Sequence, residues 1–484
     1  MKLEKLLAGV NVVNANVPLS TEITDVVYDS RKVTTGCMFV AVTGFATDGN
    51  KYIPMALEKG AAVVVTARPQ TDDTPYVQVE SDRLALAQIG ANFHNHPGKA
   101  MKLIGITGTN GKTSSTLLLK HVLEQVLGAK VGLMGTMENM IGNRSIPAER
   151  TTPESFELQA LLAQMRDAGC SYAIMEVSSH AIALQRVAGL HYTVAAFTNL
   201  TEDHLDFHKT MEDYCRTKAE LFSRCDRAVA NKDDAWFTQM TQNAACPLLA
   251  TSVKGDGDLK AEELQLLSDG ISFTAVYRDE RVAVNLPIPG RFTVYNALTV
   301  LGCALQLGIS LADAAAALKT AKGVKGRVEV VPTPGEDYTV LIDYAHTPDG
   351  LENVLTSVKN FCKGRLIAVF GCGGDRDPVK RPIMGKIGVE IADFAIITSD
   401  NPRTEEPMKI IEDILKGVDS AKNNYKVLEN RPKAIRYAMD IAKKNDIIIL
   451  AGKGHETYQE ICGVKHHLDE REVVAAYLEE TRNG

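Results

Sequence analysis

The chain has 484 residues, which is too long for one compact core, because single domains usually hold about 100 to 200 residues. Its hydrophobic fraction of 45% and charged fraction of 23% are ordinary for a soluble globular protein. The net charge of −7 disfavours a general nucleic-acid or anionic-membrane binder. Nine scattered cysteines without a CxxC pair disfavour a disulfide framework and predict a reducing compartment. We therefore expect a cytoplasmic protein with no membrane span and no nucleic-acid partner.

Short apolar runs that end in polar or Gly-rich clusters recur along the chain, and a helical pattern follows each of them. This alternation predicts an α/β fold with parallel sheets, in which ligands bind beyond the carboxyl ends of the strands. Pro97-Gly98 interrupts the pattern just before a new strand. We divide the chain into three predicted domains, at residues 1–98, 99–326 and 327–484.

The second block opens with a predicted phosphate loop. An apolar run at 103–107 leads into GTNGKT at 108–113, and a helix-compatible run follows at 114–127. Glycines let backbone N–H groups approach phosphate oxygens, and the helix N-terminus favours the anion. Lys112 is expected to reach the β- and γ-phosphates, and Thr113 to offer its hydroxyl to Mg²⁺. The strict GxxxxGK[ST] pattern is not met, because Ile106 stands in place of its first glycine, so an incidental Gly-rich turn is the alternative.

Three further side chains in this block are candidates for metal chemistry. Glu176 ends an apolar strand, where it would either hold magnesium beside the phosphate loop or be a solvated strand-end carboxylate. His204 and His208 have the i, i+4 spacing of zinc ligands, but the sequence lacks the Glu of HExxH and an obvious third soft ligand. A single histidine that assists a magnesium site is therefore favoured. Lys218 reads, on pattern alone, as an exposed helix lysine.

The third block contains four apolar runs, at 339–344, 366–370, 394–398 and 447–450. Each run ends in a distinctive cluster, namely AHTP at 345–348, GCGGDR at 371–376, DNPR at 400–403 and GKGHE at 452–456. The geometry of parallel sheets predicts that these clusters lie along one sheet edge.

Taken together, the motifs resemble those of the Mur ligase family over nearly the whole chain. The carriers are TGTNGKT at 107–113, MEVSSH at 175–180, FTNLTEDHLDFH at 197–208, residues 214–222, GRFTVYN at 290–296, GR at 326–327, DYAHTP at 343–348, GCGGDRD at 371–377, DNPRTEEP at 400–407 and GKGHE at 452–456. The resemblance implies an N-terminal uridine-nucleotide-binding α/β domain, a central P-loop ATPase domain with a parallel sheet, and a C-terminal Rossmann-like domain.

The resemblance also implies a reaction. ATP would phosphorylate the D-Glu γ-carboxylate of UDP-MurNAc-L-Ala-D-Glu, and the amine of meso-diaminopimelate would attack the acyl phosphate. The products would be an amide, ADP and phosphate, in the cytoplasmic part of peptidoglycan biosynthesis. Such chemistry needs charge neutralisation and positioning more than a protein nucleophile. A monomer is expected.

The site residues follow from matching positions. The ATP contacts would be Gly108, Thr109, Asn110, Gly111, Lys112, Thr113, Ser114, Asn296, Arg327, Asp343 and His346. The magnesium site would use Thr113, Glu176, His204 and Lys218, the last as N6-carboxylysine carrying a CO2-derived carbamate; Lys112, Lys218 and His204 would be the catalytic residues. The uridine nucleotide would contact Ser30, Thr151, Thr152, Ser178 and Arg186. Diaminopimelate would contact Arg376, Asp400, Asn401, Pro402, Arg403, Gly452 and Glu456.

Arg403 carries the predicted choice of amino acid. Diaminopimelate has a second ammonium–carboxylate end that lysine lacks, and an arginine can grip that carboxylate bidentately while Glu456 accepts from the ammonium. A buried arginine left without this partner is costly, so the arginine predicts rejection of L-lysine. Other amide ligases of the superfamily, such as the folylpolyglutamate type or the lysine-adding type, remain the enzymatic alternative. A nucleotide-binding switch without ligase activity is the non-enzymatic one.

Overall fold

The computed structural model describes residues 1–44, 47–70, 73–267 and 270–483. These residues form two compact units, the first composed of Met1–Leu249 with Cys303–Gly308 and the second of Ala250–Gly302 with Ile309–Gly484. Within those described ranges, no helix combines the length and the apolarity that a bilayer span requires. The predicted α/β fold class is confirmed.

The first unit begins with a five-stranded sheet. Its strands are β1 (Val12–Ala15), β2 (Val26–Val27), β3 (Met38–Val40), β4 (Val63–Thr66) and β5 (Tyr76–Val79), in the order β1-β5-β4-β3-β2. All neighbouring pairs are parallel except β1 with β5. Helices α1 (Leu3–Leu6), α2 (Ile53–Glu58) and α3 (Asp82–Phe93) accompany it. Because strand side chains alternate, Met38 and Val40 belong to one core and Phe39 to the other.

The remainder of the first unit is built on a larger sheet. Its strands are β6 (Lys102–Thr107), β7 (Val131–Met134), β8 (Glu138–Ile141), β9 (Arg144–Pro147), β10 (Tyr172–Glu176), β11 (Tyr192–Phe197) and β12 (Cys225–Asn231), in the order β12-β11-β6-β10-β7-β8-β9. The strands from β12 to β7 are parallel, and the β7–β8 and β8–β9 pairs are antiparallel. The helices are α4 (Lys112–Leu127), α5 (Ser155–Asp167), α6 (Ser179–Ala183), α7 (Leu205–His208), α8 (Met211–Ala219) and α9 (Phe237–Thr241).

The second unit starts with mainly antiparallel strands. In order along the sheet they are β16 (Glu280–Leu286), β15 (Ile271–Tyr277), β14 (Leu259–Leu266) and β13 (Leu248–Ser252), and the β15–β16 pair corresponds to the β-like stretch at 271–288. Helices α10 (Arg291–Gln306) and α11 (Leu311–Leu318) follow.

A six-stranded sheet forms the rest of the second unit. Its strands are β17 (Glu329–Val331), β18 (Thr339–Asp343), β19 (Leu366–Phe370), β20 (Phe394–Ile397), β21 (Tyr425–Val427) and β22 (Ile447–Ala451), in the order β17-β18-β22-β19-β20-β21. Only the β17–β18 pair is antiparallel among them. Helices α12 (Pro348–Lys359), α13 (Lys380–Ile391), α14 (Pro407–Leu415), α15 (Arg431–Asp440) and α16 (Glu470–Asn483) complete it, together with a separate hairpin of β23 (Tyr458–Ile461) and β24 (Val464–His467). The four predicted apolar runs are thus strands of one parallel set.

Candidate active site

The predicted phosphate loop connects β6 to α4, and its two glycines have backbone conformations that L side chains rarely adopt. The φ angles are +149° at Gly108 and +83° at Gly111, and a Cβ atom on Gly108 would lie 2.0 Å from Thr198 Oγ1. The loop is held from the end of β11, because Thr109 N donates to Asn199 O at 2.8 Å and Asn110 N donates to Asn199 Oδ1 at 2.9 Å. The loop is therefore held in one shape, and two of its amides already have acceptors.

Lys112 folds back over this loop. Its Nζ donates to the carbonyl oxygens of Gly108 and Thr109, at 2.9 and 2.8 Å. The ammonium group is thereby held at the loop, where the N-terminus of α4 also favours an anion. The loop as a whole offers a fixed positive charge next to a helix start.

A buried carboxylate lies beside the first turn of α4. Glu176 ends β10 with 1% of its surface exposed. Its Oε1 accepts from Thr113 Oγ1 and from Thr136 N, both at 2.9 Å, and its Oε2 accepts from Thr136 Oγ1 at 2.9 Å. A hydroxyl and a carboxylate oxygen in contact are a donor set that suits a hard divalent cation such as Mg²⁺. Thr136 was missed in the sequence, because an isolated threonine after a strand gives no signal.

Lys218 is buried, although its helical pattern alone indicates an exposed lysine. Only 1% of its surface is exposed, and its Nζ donates to Gly108 O at 3.0 Å and lies 4.7 Å from the centre of the Tyr214 ring. Burial, with a further contribution from the charge of Lys112, holds the pKa of Lys218 well below its usual value, while Asp203 opposes the shift. The two lysines therefore flank one loop carbonyl group.

The histidines after β11 form an aromatic cluster with His180. His204 has a left-handed backbone with φ of +55°, and its ring centre lies 4.8 Å from that of His180. His208 Nε2 is bonded to Ser179 Oγ at 2.8 Å, and burial lowers the pKa of His208 to about 4. Within the described part of the chain, no group of three or more His, Cys, Asp or Glu residues is arranged to hold a metal ion.

Four of the five predicted uridine-nucleotide residues lie together near Glu176. Thr152 Oγ1 lies 3.2 Å from Ser178 Oγ, Arg186 Nη1 donates to Thr152 O at 3.4 Å, and Thr151 Oγ1 lies 3.1 Å from Thr136 Oγ1. Burial lowers the pKa of Arg186, and Glu154 opposes this shift through an ion pair of 3.2 Å. The fifth residue, Ser30, is buried in the first sheet region; among the described residues it shares no hydrogen bond with those four.

In the second unit, the predicted ATP residues cluster around the end of β18. Both carboxylate oxygens of Asp343 accept backbone amides, Oδ2 from Val328 and Oδ1 from Ala345, each at 2.8 Å, and burial raises its pKa. Arg327 lies over the Tyr344 ring at 5.1 Å, and His346 Nδ1 is bonded to Tyr344 O at 2.8 Å. Asp343 therefore fixes the backbone next to Arg327 by accepting from the amide of Val328. Asn296 is buried on α10.

The predicted amino-acid residues lie at the carboxyl ends of β19, β20 and β22. Asp400 Oδ1 accepts from Asn401 N at 2.7 Å, and a Cβ on Gly452, which has φ of +116°, would lie 2.6 Å from Asp400 Oδ2. The position of Gly452 thus requires glycine. Pro402 O packs against Gly374, where an added Cβ would lie 2.0 Å away. Arg376 is exposed and donates from Nη1 to Asp375 O at 3.1 Å.

A buried lysine holds Glu456 in this cluster. Lys453 has no exposed surface, and its Nζ donates to Glu456 Oε2 at 3.0 Å and to Asn401 Oδ1 at 3.1 Å. Asn401 Nδ2 also donates to Glu456 Oε2, at 2.8 Å. Oε1 of Glu456 has no hydrogen-bond partner among the described residues, so one carboxylate oxygen is left for a ligand. Lys453 stands inside GKGHE, but its sequence position did not show that it would turn inward.

The same cluster contains Arg403, whose backbone is left-handed with φ of +51°. Its Nε donates to Glu460 Oε2 at 3.2 Å and its Nη1 donates to Gly374 O at 2.8 Å. The guanidinium group is thus held on two sides, which does not fit a surface turn residue. Glu460 was not singled out in the sequence, because nothing in its local pattern distinguishes it from a solvated strand residue.

Along the chain, the phosphate-loop region stands between two further α/β regions, and family models of ATP-dependent ligases match all three parts. The Mur ligase middle domain matches residues 106–304, the glutamate ligase domain of Mur ligases matches residues 326–454, and the Mur ligase catalytic domain matches residues 22–94. The chain belongs to the Mur ligase family. The predicted family and enzyme class are confirmed.

Relatives within the family share one name. The chain is 48% identical over 465 residues to a protein of Clostridium botulinum, covering 95% of this chain and 96% of that protein, and 47% identical over 490 residues to one of Clostridium tetani, covering 99% and 100%. Both are called UDP-N-acetylmuramoyl-L-alanyl-D-glutamate--2,6-diaminopimelate ligase. A solved structure under the same name has a TM-score of 0.73 and 30% identity, covering 100% of this chain and 99% of that one. These names agree with the activity predicted from the sequence.

Proposed function

We propose that this chain is an ATP-dependent ligase that joins meso-diaminopimelate to the D-Glu γ-carboxylate of UDP-MurNAc-L-Ala-D-Glu. The reaction would run through an acyl phosphate and would release ADP and phosphate. The observation that carries the proposal is the contact of Thr113 and Glu176 beside a glycine loop that holds Lys112. The names of the full-length relatives supply the substrates. ATP use is further supported by a MurF ligase of Thermotoga maritima described in complex with ADP, which shares the fold at a TM-score of 0.63 and 20% identity.

The loop residues would act by neutralising charge. Lys112 would exchange its two carbonyl partners for phosphate oxygens, and the amides of the loop would do the same with Asn199. Thr113, Glu176 and His204 would hold Mg²⁺, whose chemistry is to offset the negative charge of the phosphates. Fixed charges of this kind cost no reorganisation when the phosphoryl group moves.

Lys218 has the environment that carbamate formation needs. Burial lowers the pKa of Lys218 and so favours the neutral amine, and a neutral amine can attack CO2. In that step the N–C bond forms, one C=O bond of CO2 opens to a carboxylate, and the amine loses a proton to water. The carbamate would carry a negative charge, which the neighbouring Lys112 would stabilise. Its oxygens would join Glu176 as magnesium ligands. The set of magnesium ligands would therefore be complete only after Lys218 had received its carbamate.

The amino-acid end would be bound by opposite charges. Glu456 Oε1 would accept from an ammonium group, and the guanidinium of Arg403 would grip the distal carboxylate. L-Lysine would leave without an acceptor those N–H groups of the guanidinium that Glu460 and Gly374 do not use, which is the basis for its rejection. Arg376, Asp400, Asn401, Pro402 and Gly452 would shape the same pocket, and Ser30, Thr151, Thr152, Ser178 and Arg186 would bind the uridine nucleotide.

Each of the three predicted domains is proposed to bind one of the three substrates. Residues 1–98 would bind the uridine nucleotide, residues 99–326 would bind ATP, and residues 327–484 would bind the amino acid. Asn296, Arg327, Asp343 and His346 are the remaining proposed contacts with ATP. The enzyme would work in the cytoplasm as a monomer.

The proposal is tested by phosphate release from purified protein with ATP, Mg²⁺ and UDP-MurNAc-L-Ala-D-Glu, with each amino acid added in turn. Turnover should depend on meso-diaminopimelate, and L-lysine should give less than about 1% of the rate, since a lost charged partner costs about 3 kcal/mol or more. Equal turnover with L-lysine would contradict the amino-acid assignment. ATP hydrolysis that is indifferent to every amino acid would instead favour the switch without ligase activity.

A further inference from the structure

The hairpin of β23 and β24 fastens the segment 400–403 by its backbone. Arg403 N donates to Glu460 O at 3.0 Å, and Cys462 N donates to Arg403 O at 2.7 Å. Arg403 therefore pairs with the hairpin as an isolated bridge to Ile461. A left-handed φ of +51° is uncommon for a residue with a Cβ atom, and these two bonds hold it in place.

Two more bonds connect β23 to the same segment. Gln459 Nε2 donates to Asp400 O at 2.6 Å, and Glu460 N donates to Asn401 Oδ1 at 2.9 Å. The hairpin thus contacts three of the four residues of the DNPR cluster, although it belongs to a separate two-stranded sheet.

The guanidinium of Arg403 is oriented by Glu460. A guanidinium has five N–H donors, and the Nε hydrogen goes to Glu460 Oε2 while one Nη1 hydrogen goes to Gly374 O. Within the described residues, Nη2 and the second Nη1 hydrogen donate to no oxygen of the protein. An Nη1 and an Nη2 hydrogen together form the end-on fork of a guanidinium, which matches the two oxygens of a carboxylate.

We propose that Glu460 is a positioning residue that sets the amino-acid specificity of the pocket, by holding Arg403 through Nε so that its end-on fork receives the distal carboxylate of the amino acid. This inference rests on the proposed function. Glu460 has two opposing effects, since it immobilises a long flexible side chain but also brings a negative charge near the carboxylate to be bound. The inference requires positioning to be the larger effect, and a charge-assisted bond between side chains that are only 20% and 26% exposed supports it.

The experiment compares Glu460→Ala with Glu460→Gln in the full-length protein. Glu460→Ala should raise the KM for meso-diaminopimelate about tenfold, the usual effect of losing one charge-assisted hydrogen bond, with the KM for ATP and for the uridine nucleotide unchanged. Glu460→Gln keeps an acceptor oxygen and should restore the KM to within about threefold of the starting value. The share of turnover obtained with L-lysine should rise in Glu460→Ala and fall back in Glu460→Gln.

Glu472→Ala is the matched control, because Glu472 makes an exposed ion pair with His467 at the other strand of the hairpin. It should leave all three KM values unchanged. An unchanged or lower KM for diaminopimelate in Glu460→Ala would overturn the inference, as would an equal rise in the KM for ATP, which would indicate a structural role. If the protein without substitutions shows no diaminopimelate-dependent turnover, the proposed function itself fails. If that turnover is present, the experiment decides only the role of Glu460.

Discussion

The phosphate loop and the amino-acid pocket are built on different physical principles. At the loop, Lys112 and Lys218 both donate to the Gly108 carbonyl group, so positive charge accumulates around backbone atoms. In the pocket, two opposite charges are already paired on each side, Arg403 with Glu460 and Lys453 with Glu456. The first region is suited to attract any triphosphate, because backbone and ammonium groups do not discriminate. The second discriminates, because a ligand must replace or extend specific ion pairs.

Because the phosphate loop does not contact the amino acid in this proposal, variants of the loop should lose turnover with every amino acid. Lys112→Ala removes the ammonium that the glycine loop holds, so kcat should fall about 10³-fold or more, a loss typical of charge groups in phosphoryl transfer. Phosphate release under saturating substrates measures it. Lys130→Ala removes an exposed lysine bonded to Ala168 O and serves as the control. A Lys112→Ala enzyme with a near-normal rate would remove the loop from the chemistry.

The second prediction tests whether Lys218 acts through an added carboxylate. Lys218→Ala should lower kcat about 10²-fold or more, because the magnesium ion loses the carbamate as a ligand. Short carboxylates such as acetate or formate should restore part of the rate, since the shortened side chain leaves space for them. Intact-protein mass measurement of the active enzyme should show one added CO2. Active protein that carries no such addition would rule out the carbamate.

The third prediction concerns the pocket alone and has the smallest effect on turnover. Arg403→Ala should raise the KM for meso-diaminopimelate about 30- to 100-fold, with little change in the KM for ATP, since a charged partner of the carboxylate is lost. Arg436→Ala is the control, because Arg436 makes a partly exposed pair with Glu480 on α16. If Arg403→Ala leaves the KM for diaminopimelate unchanged, Arg403 lies outside the pocket. The proposed difference between an unselective phosphate loop and a selective pocket would then be wrong.

The same contrast explains how much the sequence could reveal. The strands of the third block and the phosphate loop were predictable, because apolar runs and glycine punctuation are local signals. Glu176 was predictable as a strand-end carboxylate. The burial of Lys218 was not, because an amphipathic helix gives no sign that a lysine faces inward under a glycine loop. The family resemblance alone drew attention to it.

The partners that complete each site escaped prediction for a related reason. Thr136 and Asn199 reach Glu176 and the loop from neighbouring strands, and Glu460 reaches Arg403 across 57 residues of sequence. Such pairings depend on the order of strands in the sheet and on the placement of a hairpin outside it. Sequence spacing does not encode either of them.

The hairpin of β23 and β24 bears on how the amino-acid specificity of this pocket can evolve. It forms its own two-stranded sheet, so its side chains carry little of the packing that keeps the six-stranded sheet folded. If Glu460 positions Arg403 as proposed, substitutions there can alter which amino acid is accepted at little cost to that packing. The hairpin is therefore the evolvable part of the pocket, and it is the natural place to randomise in a search for variants that incorporate other diamino acids.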